Sequence, residues 1–586
     1  MWSVGRSPTT RPLARIYRWF LIFACLLPTA LSQCPQVQQP CHCSPSIYEP
    51  VAIVCENAGS LSNALQAISS ARQMPIDSLS IIDTAISSIP PNAFQDFTIL
   101  RLVLNRNTLT QISDDAFNGQ LLDSLVELDL SDNQLGGVPP TGLHKLRNLR
   151  KLYLNRNRIS TLNANAFTNF ESKVLLKLEM AGNRLTDQAL GDGTVFRPLK
   201  SLQELSLETN ALTQIPSAAL SNQRQTLVNL NLGLNQINDV PVGALDFPVL
   251  TSLSLEFNGI TVIIPQAFQG VPNLQYLYLT GNKFPAWQPE MFRYINQLRT
   301  LGIGETPISV IPSNAFIHTP NLIRLEMSEA AVDTIEQGAF QRTPLIQAIV
   351  LNKNRLTTVR ADMFQGLNDL YSIDLQGNRL DTVEPLGFAN LPSLRHLDIS
   401  YNQLQTMPTN TFDNSFLPEP NDRRVIFACA NPWLCDSRLE WFRQLLRDNL
   451  DIDIDKPGCV AACMSSVNNC PPEGTPLRAL DFCPISDNPL PLTGTALSLV
   501  GWIILAIIMT ILLISICLMA LIRYGMSHRR KKQKDHEIED EQRIISSVYQ
   551  SSLYNRSYPP SAAGAGVDLD LPPVHTNLDD RPNYFI

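Results

Sequence analysis

A short frame recurs through the middle of the chain, and no other feature of the sequence limits the fold as tightly. It reads Leu253-x-Leu255-x-x-Asn258-x-Ile260-x-x-Ile263 with Phe268 behind it, then Leu277-x-Leu279-x-x-Asn282-x-Phe284-x-x-Trp287 with Phe292. It returns as Ile373-x-Leu375-x-x-Asn378-x-Leu380-x-x-Val383 with Phe388, and as Leu397-x-Ile399-x-x-Asn402-x-Leu404-x-x-Met407 with Phe412. The asparagine slot falls at 84, 107, 133, 157, 183, 210, 235, 258, 282, 306, 330, 354, 378 and 402, which gives fourteen units of 23 to 27 residues over residues 76–414. A unit this short cannot hide its own apolar face, so the units must stack, each covering the next.

Each slot has a physical reading. The apolar-x-apolar alternation makes a short strand with its apolar side chains turned inward. The chain then turns, and the buried Asn side chain bonds backbone groups that the turn would leave unpaired. Ten residues beyond the Asn slot a phenylalanine recurs, at Phe94, Phe117, Phe167, Phe268, Phe292, Phe316, Phe340, Phe364, Phe388 and Phe412, and stacking lines these rings into a spine. Thr84, Thr306 and Ala330 stand in Asn slots. A threonine hydroxyl still bonds backbone and an alanine does not, so the turn at Ala330 is expected to be looser than its neighbours. Trp287 fills the slot held elsewhere by Ile263 and Ile311 and is read as core. The period and pattern are those of leucine-rich repeats. The expected fold class is α/β, a leucine-rich-repeat solenoid whose strands form a curved parallel sheet.

An open stack must be covered at both ends. The repeats hold no cysteine, whereas ten flank them in two even groups. Cys34, Cys41, Cys43 and Cys55 lie in residues 33–75, and Cys429, Cys435, Cys459, Cys463, Cys470 and Cys483 in residues 415–485. In an exported chain such groups mean disulfides. The Cys41-His42-Cys43 run also invites a metal reading, but no second ligand pair has zinc spacing, and neither metal nor cofactor is expected. Cys34-x6-Cys41-x-Cys43-x11-Cys55 resembles the N-terminal cap of extracellular leucine-rich-repeat proteins. Asn431-Pro432-Trp433-Leu434-Cys435-Asp436, followed by Leu439-Glu440-Trp441-Phe442, resembles their C-terminal cap. The usual Cys-Asp-Cys of that cap is here Cys435-Asp436-Ser437. Cys429 is available to supply the missing thiol, and the pairing of the C-terminal group stays open.

Two apolar segments point to a membrane protein. Arg6, Arg11, Arg15 and Arg18 form a basic region ahead of an apolar stretch from Trp19 to Leu27, with small Ala30 and Ser32 placed for cleavage, so residues 1–32 are read as a secretory signal. Residues 496–522 carry no charge and are long enough to cross ~30 Å of hydrocarbon. Arg523, Arg529, Arg530, Lys531, Lys532 and Lys534 follow and hold that side in the cytosol. The expected product is a single-pass type I protein of the plasma membrane, with a linker at 486–495 and a cytosolic tail at 523–586. The tail is too short for a typical signalling enzyme domain, and its Ser, Pro, Tyr and Ala content reads as disordered. The last residues, Tyr584, Phe585 and Ile586, resemble a PDZ-domain ligand, in which an apolar carboxyl terminus adds a strand to the edge of the domain's sheet.

No Ser-His-Asp arrangement, metal-ligand spacing or phosphate loop stands out, so an enzyme is not expected. Formal net charge is −8, which leaves no global footprint for nucleic acid. Residues between and just after the two apolar strand positions point outward from the concave side and are free of packing duty. Among them Arg106, Tyr153, Arg156, Phe257, Tyr276 and Tyr278 are the candidate partner-binding residues, because hot spots favour aromatic and arginine side chains. No Asn outside the tail sits in an Asn-x-Ser/Thr sequon, so N-linked sugars shield no face of the solenoid.

The layout of repeats, two caps, one span and a short tail resembles neuronal and epithelial leucine-rich-repeat transmembrane receptors. With the Tyr584-Phe585-Ile586 end it is similar to nematode receptors that direct sensory dendrite branching. That resemblance implies extracellular adhesion proteins or matrix as outside partners. Inside, it implies a PDZ-domain scaffold or a Rho-family exchange factor acting on actin. Two further readings share the architecture, an epithelial apical-matrix organiser and an innate-immune pattern receptor.

Overall fold

A computed structural model describes residues 34–479 except 164, 168–173, 192, 420–422 and 467–470. The chain divides into two units, Met1–Pro484 and Ile485–Ile586, and every described residue belongs to the first. The signal segment, the 496–522 span, the tail with Tyr584, Phe585 and Ile586, and Cys470 and Cys483 all lie outside the described residues. Among the described residues no helix is long and apolar enough to cross a membrane.

Each repeat contributes a short strand that pairs in parallel, residue for residue, with the next. Leu128 faces Leu152, Leu152 faces Leu178, and Leu178 faces Leu205. These central leucines are buried while their strand neighbours stay half exposed, which is the period-two pattern read from the sequence. The strands form one sheet of 18, of which fourteen belong to the repeats and two to each cap. The solenoid is therefore continuous. At one end Cys41–Cys43 runs antiparallel to Ala52–Glu56, which pairs with Pro75–Ile82. At the other, Arg424–Phe427 and Ile452–Asp453 extend the sheet beyond His396–Asp398.

The asparagines form the expected ladder. Asn133 Nδ2 donates to the carbonyls of Leu104, Leu130 and Ser131 at 2.9, 3.0 and 3.0 Å, and its Oδ1 accepts from Leu109 N at 3.0 Å. The ladder is interrupted where Thr306 donates only to Ile303 O, at 3.2 Å, and where buried Ala330 has nothing to donate. It resumes at Asn354, which accepts from Val332 N at 2.9 Å, and runs further than the repeat frame indicated. Asn431 inside the C-terminal cap accepts from Leu404 N at 3.0 Å and donates to Ile399 O at 2.9 Å. The extra residues between Phe412 and Asn431 had displaced it from the regular spacing.

The residue just before each Asn slot is left-handed. Arg106, Asp132, Arg156, Phe257 and Lys353 have φ of 52°, 56°, 50°, 49° and 53°. This conformation costs an L-residue ~1–2 kcal/mol, and the following Asn offsets it by bonding the turn.

The ring spine is present. Phe316, Phe340, Phe364, Phe388 and Phe412 follow one another at centroid distances of 5.4, 6.3, 6.0 and 6.0 Å. Phe196 joins by stacking on Phe167 at 6.0 Å, although its longer unit had moved it off the expected offset. Trp287 is buried, and its Nε1 donates to Ala315 O at 2.9 Å.

Disulfides Cys34–Cys43 and Cys41–Cys55 hold the N-terminal cap, so both thiols beside His42 are consumed and cannot bind metal. In the other cap Cys429 pairs with Cys459 and Cys435 with Cys463, which puts Cys429 to use. The helix Glu440–Asp448 presses Phe442 and Leu446 against the last turns, where the Phe412 ring meets Trp441 and Phe442.

Candidate functional site

The six predicted contact residues fall into two groups on the sheet face. Arg106, Tyr153 and Arg156 belong to early turns, and Phe257, Tyr276 and Tyr278 to two adjacent later ones. Five strand steps separate Tyr153 from Tyr278 along the ladder, roughly 24 Å at the usual strand spacing.

The expectation that these residues are free of packing duty does not hold. Arg106 bonds Asp83 Oδ2 through Nε at 3.1 Å and Nη2 at 2.8 Å. Arg156 makes a bidentate pair with Asp132 at 2.5 and 2.6 Å. The Phe257 ring lies so close over Gly281 that a Cβ there would stand 2.3 Å from it, and Tyr278 lies over Gly302. For Tyr278 the cause is strand register, which sets it beside Gly302; for Arg106, Arg156 and Phe257 it is the left-handed turn position. It carries one side chain per turn, so neighbours in that row reach one another, and opposite charges pair or a ring covers a glycine.

Between the two groups the face is acidic with embedded lysines. Lys177 bonds Glu179 at 2.9 Å and Glu204 at 3.2 Å, and its ammonium stands 5.7 Å over the Tyr153 ring. Burial pulls the Lys177 pKa down, but Glu179 and Glu204 outweigh it and leave it above the ordinary value. Burial, with help from Glu127, Glu179, Asp129 and Glu204, pushes the Tyr153 hydroxyl up, so it stays a neutral donor. Asp129 is pushed up to about 6 by burial, with Asp132 and Glu179 adding to it against bonds from Ser131. Burial and Glu179 also raise Glu208, which accepts from Asn231 Nδ2 at 3.0 Å.

The C-terminal end of the same face is covered by the chain itself. Lys456 of the cap reaches back across the sheet, pairs with Asp398, donates to Gln376 Oε1 at 2.9 Å and stands 5.2 Å over the Phe427 ring. Asp374 beside it is pushed up to about 6 by burial and Asp398, opposed by the Gln376 amide and the charges of Lys456 and Arg324. Away from the face, a groove of about 480 Å³ lies where the first strands begin, lined by Asp77, Leu100, Asp123, Val126, Asn148 and Arg150. It contains none of the six predicted residues. Among the described residues no cluster of three or more His, Cys, Asp or Glu is arranged to hold a metal ion.

Comparison with known proteins matches the leucine rich repeat family over residues 75–135, 123–185, 225–284 and 344–404. Keratocan of Mus musculus is 30% identical over 278 residues, covering 43% of this chain and 72% of keratocan. The chain belongs to the leucine-rich-repeat family. It is of the extracellular, disulfide-capped type. Podocan of Mus musculus is 31% identical over 226 residues, 38% of this chain, and the chain spans only 35% of podocan. Among solved structures, a leucine-rich-repeat protein of Leptospira interrogans aligns with a TM-score of 0.50 and 23% identity over 69% of this chain and 99% of that one, a likeness of fold.

Within this leucine-rich-repeat protein, three residues with structural roles had no place in the repeat frame. Lys456 lies in a cap, outside the repeat frame, so nothing local connects it with Asp398. Asn431 was displaced by an insertion. Ser131 was not singled out. The last had a signal in plain view, because Leu128-Asp129-Leu130-Ser131-Asp132-Asn133 and Leu397-Asp398-Ile399-Ser400-Tyr401-Asn402 share one pattern.

Proposed function

We propose that this leucine-rich-repeat protein is a cell-surface receptor or adhesion protein that binds extracellular protein ligands on its sheet face. Its 496–522 segment spans the plasma membrane once, and its tail engages a PDZ-domain scaffold or a Rho-family exchange factor in shaping dendrites. The observation that carries the binding reading is the prearranged aromatic group of Phe257, Tyr276 and Tyr278, half-buried on one unbroken sheet, with Phe257 and Tyr278 seated on glycines. Side chains already fixed in place lose little entropy on binding, and large aromatics dominate protein interfaces. The tail reading is supported by Tyr584-Phe585-Ile586 and by the basic run after residue 522.

The test is adhesion of cells displaying the full chain to cells displaying candidate adhesion proteins. With surface level held equal, replacing Phe257, Tyr276 and Tyr278 together by alanine is expected to cut adhesion at least tenfold. Unchanged adhesion removes this patch from the site. Deleting residues 584–586 is expected to abolish recovery of a PDZ-containing scaffold from the same cells, and equal recovery ends the tail reading.

A further inference from the structure

The asparagine ladder breaks at Ala330, and the turns beside that break enclose a groove of about 380 Å³. Glu329, Ala331, Lys353, Asn354, Arg355 and Arg379 line it. Its volume falls at the lower end of the range for ligand sites, about 300–1,000 Å³. Apart from Ala331 the lining is polar, and cations outnumber carboxylates three to one in a chain whose net charge is −8. The aromatic group of Phe257, Tyr276 and Tyr278 is not part of it.

The repeat fixes the place of each lining residue. Glu329 and Lys353 occupy the left-handed position before the Asn slot, with φ of 56° and 53°. The Lys353 ammonium donates to Glu329 Oε1 at 2.9 Å, and its stem passes over Gly377, where a Cβ would stand 3.4 Å from Lys353 Cγ. Ala331, Arg355 and Arg379 occupy the position after the slot in three consecutive turns. Backbone bonds from Arg355 N to Val332 O at 2.7 Å and from Arg379 N to Leu356 O at 2.9 Å keep that row in register. The two arginines therefore leave the backbone about 5 Å apart, one strand spacing, and the short Ala331 side chain leaves the place beside them open.

These arginines differ from the cations around them. Arg324 pairs with Glu326 at 2.6 Å, Arg360 with Asp362 at 3.1 Å, and Lys353 with Glu329. Arg355 and Arg379 are exposed, and among the described residues neither side chain has a hydrogen bond or an ion pair. Lys353 answers Glu329, so the uncompensated charge of the groove is that of two guanidiniums. Each is a planar fork of N–H donors that stays charged at physiological pH. One fork satisfies both oxygens of a carboxylate. A sulfate ester keeps its charge and has a third terminal oxygen, so it can engage two forks on consecutive turns. No aromatic residue lines the groove to stack on a sulfated tyrosine, whereas a polar lining suits the hydroxyls of a sugar.

We propose that this groove binds a sulfated saccharide of the extracellular matrix or cell surface, with one sulfate ester held between Arg355 and Arg379. The sugar ring takes the space that Ala331 leaves open. This site stands apart from the protein-binding reading of the sheet face and gives the solenoid a second class of ligand.

The experiment displays the full chain on cells that make no sulfated glycosaminoglycan of their own. Binding of a fluorescent heparin hexasaccharide is measured at equal surface level. The wild type is expected to bind saturably, and a hyaluronan hexasaccharide, which has carboxylates but no sulfate, is expected not to compete. The double variant Arg355→Gln/Arg379→Gln is expected to weaken binding at least tenfold. Arg158 and Arg184 stand in the same row on turns outside the groove and likewise have no described partner. Arg158→Gln/Arg184→Gln removes equal charge and is expected to change the affinity less than twofold. Glu329→Gln frees the Lys353 ammonium and is expected to tighten binding a few-fold, an effect that damage to the fold would not produce. No saturable binding, equal losses in the two double variants, weaker binding in Glu329→Gln, or displacement by hyaluronan overturns the proposal. Tighter binding of a sulfotyrosine peptide than of the hexasaccharide overturns the assignment to a saccharide.

Discussion

The N-terminal and C-terminal stretches of the sheet share backbone geometry, strand register and even a short sequence pattern, yet they present different surfaces. At Asp398 the chain supplies its own cation, because the C-terminal cap folds Lys456 back over the sheet. At Asp129 the same Asp-x-Ser arrangement stands beside Tyr153, and the ammonium over that ring, Lys177, pairs with Glu179 and Glu204 instead. The difference lies in what the cap covers. The repeats build one long face, and the C-terminal cap covers its end.

The comparison is open to attack at its strongest support first. Cys459 lies three positions after Lys456 and is bound to Cys429. Cys459→Ser is expected to cost ~2–5 kcal/mol, as loss of a native disulfide usually does. Hydrogen exchange should rise around Lys456 while the N-terminal turns keep their protection. A thermal midpoint equal to that of the wild type would show that the cap is held by something else.

The ladder positions Asn133 and Asn402 follow the two Asp-x-Ser patterns and make equivalent bonds. Each replaced by alanine is expected to cost ~2–4 kcal/mol, since buried backbone groups lose their partners. Denaturant unfolding measures both. Costs that differ by more than ~1.5 kcal/mol would break the equivalence of the two turns.

Lys456→Met is expected to be smaller, ~1–2 kcal/mol at pH 7.5, because it leaves Asp398 and Asp374 without their cation. The deficit should fade as the pH drops to 5, where Asp374, already pushed up to about 6, takes a proton in the folded state. Thermal midpoints at the two pH values check it, and a deficit that grows toward acid contradicts it.

The smallest effect belongs to the N-terminal stretch. Asp129 has its folded pKa raised from 3.8 to about 6, so the folded state binds more protons than the unfolded state between those values. Wild-type stability from this group therefore falls as pH rises through that window and stays reduced above it. Asp129→Asn removes the term. Its midpoint should exceed that of the wild type by ~1–3 °C at pH 7.5, and the advantage should vanish near pH 4. An advantage that is largest at pH 4 reverses the assignment.

The sequence displayed the repeats clearly because each slot does local work. Leu277 and Leu279 alternate inward, Asn282 bonds the turn beside it, and Phe292 joins the spine at a constant offset. The candidate site was only partly legible. Arg106, Arg156 and Phe257 were expected to be free of packing duty, whereas the structure engages them with Asp83, Asp132 and Gly281. Their left-handed backbone, which sets that engagement, leaves no mark on residue type, since arginine, aspartate, phenylalanine and glycine all occupy the position.

By itself the amino-acid order determined the period, the strands, the asparagine ladder and the need for caps, because all of these arise from apolar and hydrogen-bonding groups a few residues apart. Only the tertiary structure decided which cysteines pair in the C-terminal cap and which stretch of the face is occupied. Lys456 stands 80 residues from Gln376 along the chain, and a contact over that distance is set by how a cap folds onto a finished stack rather than by any pattern within a repeat.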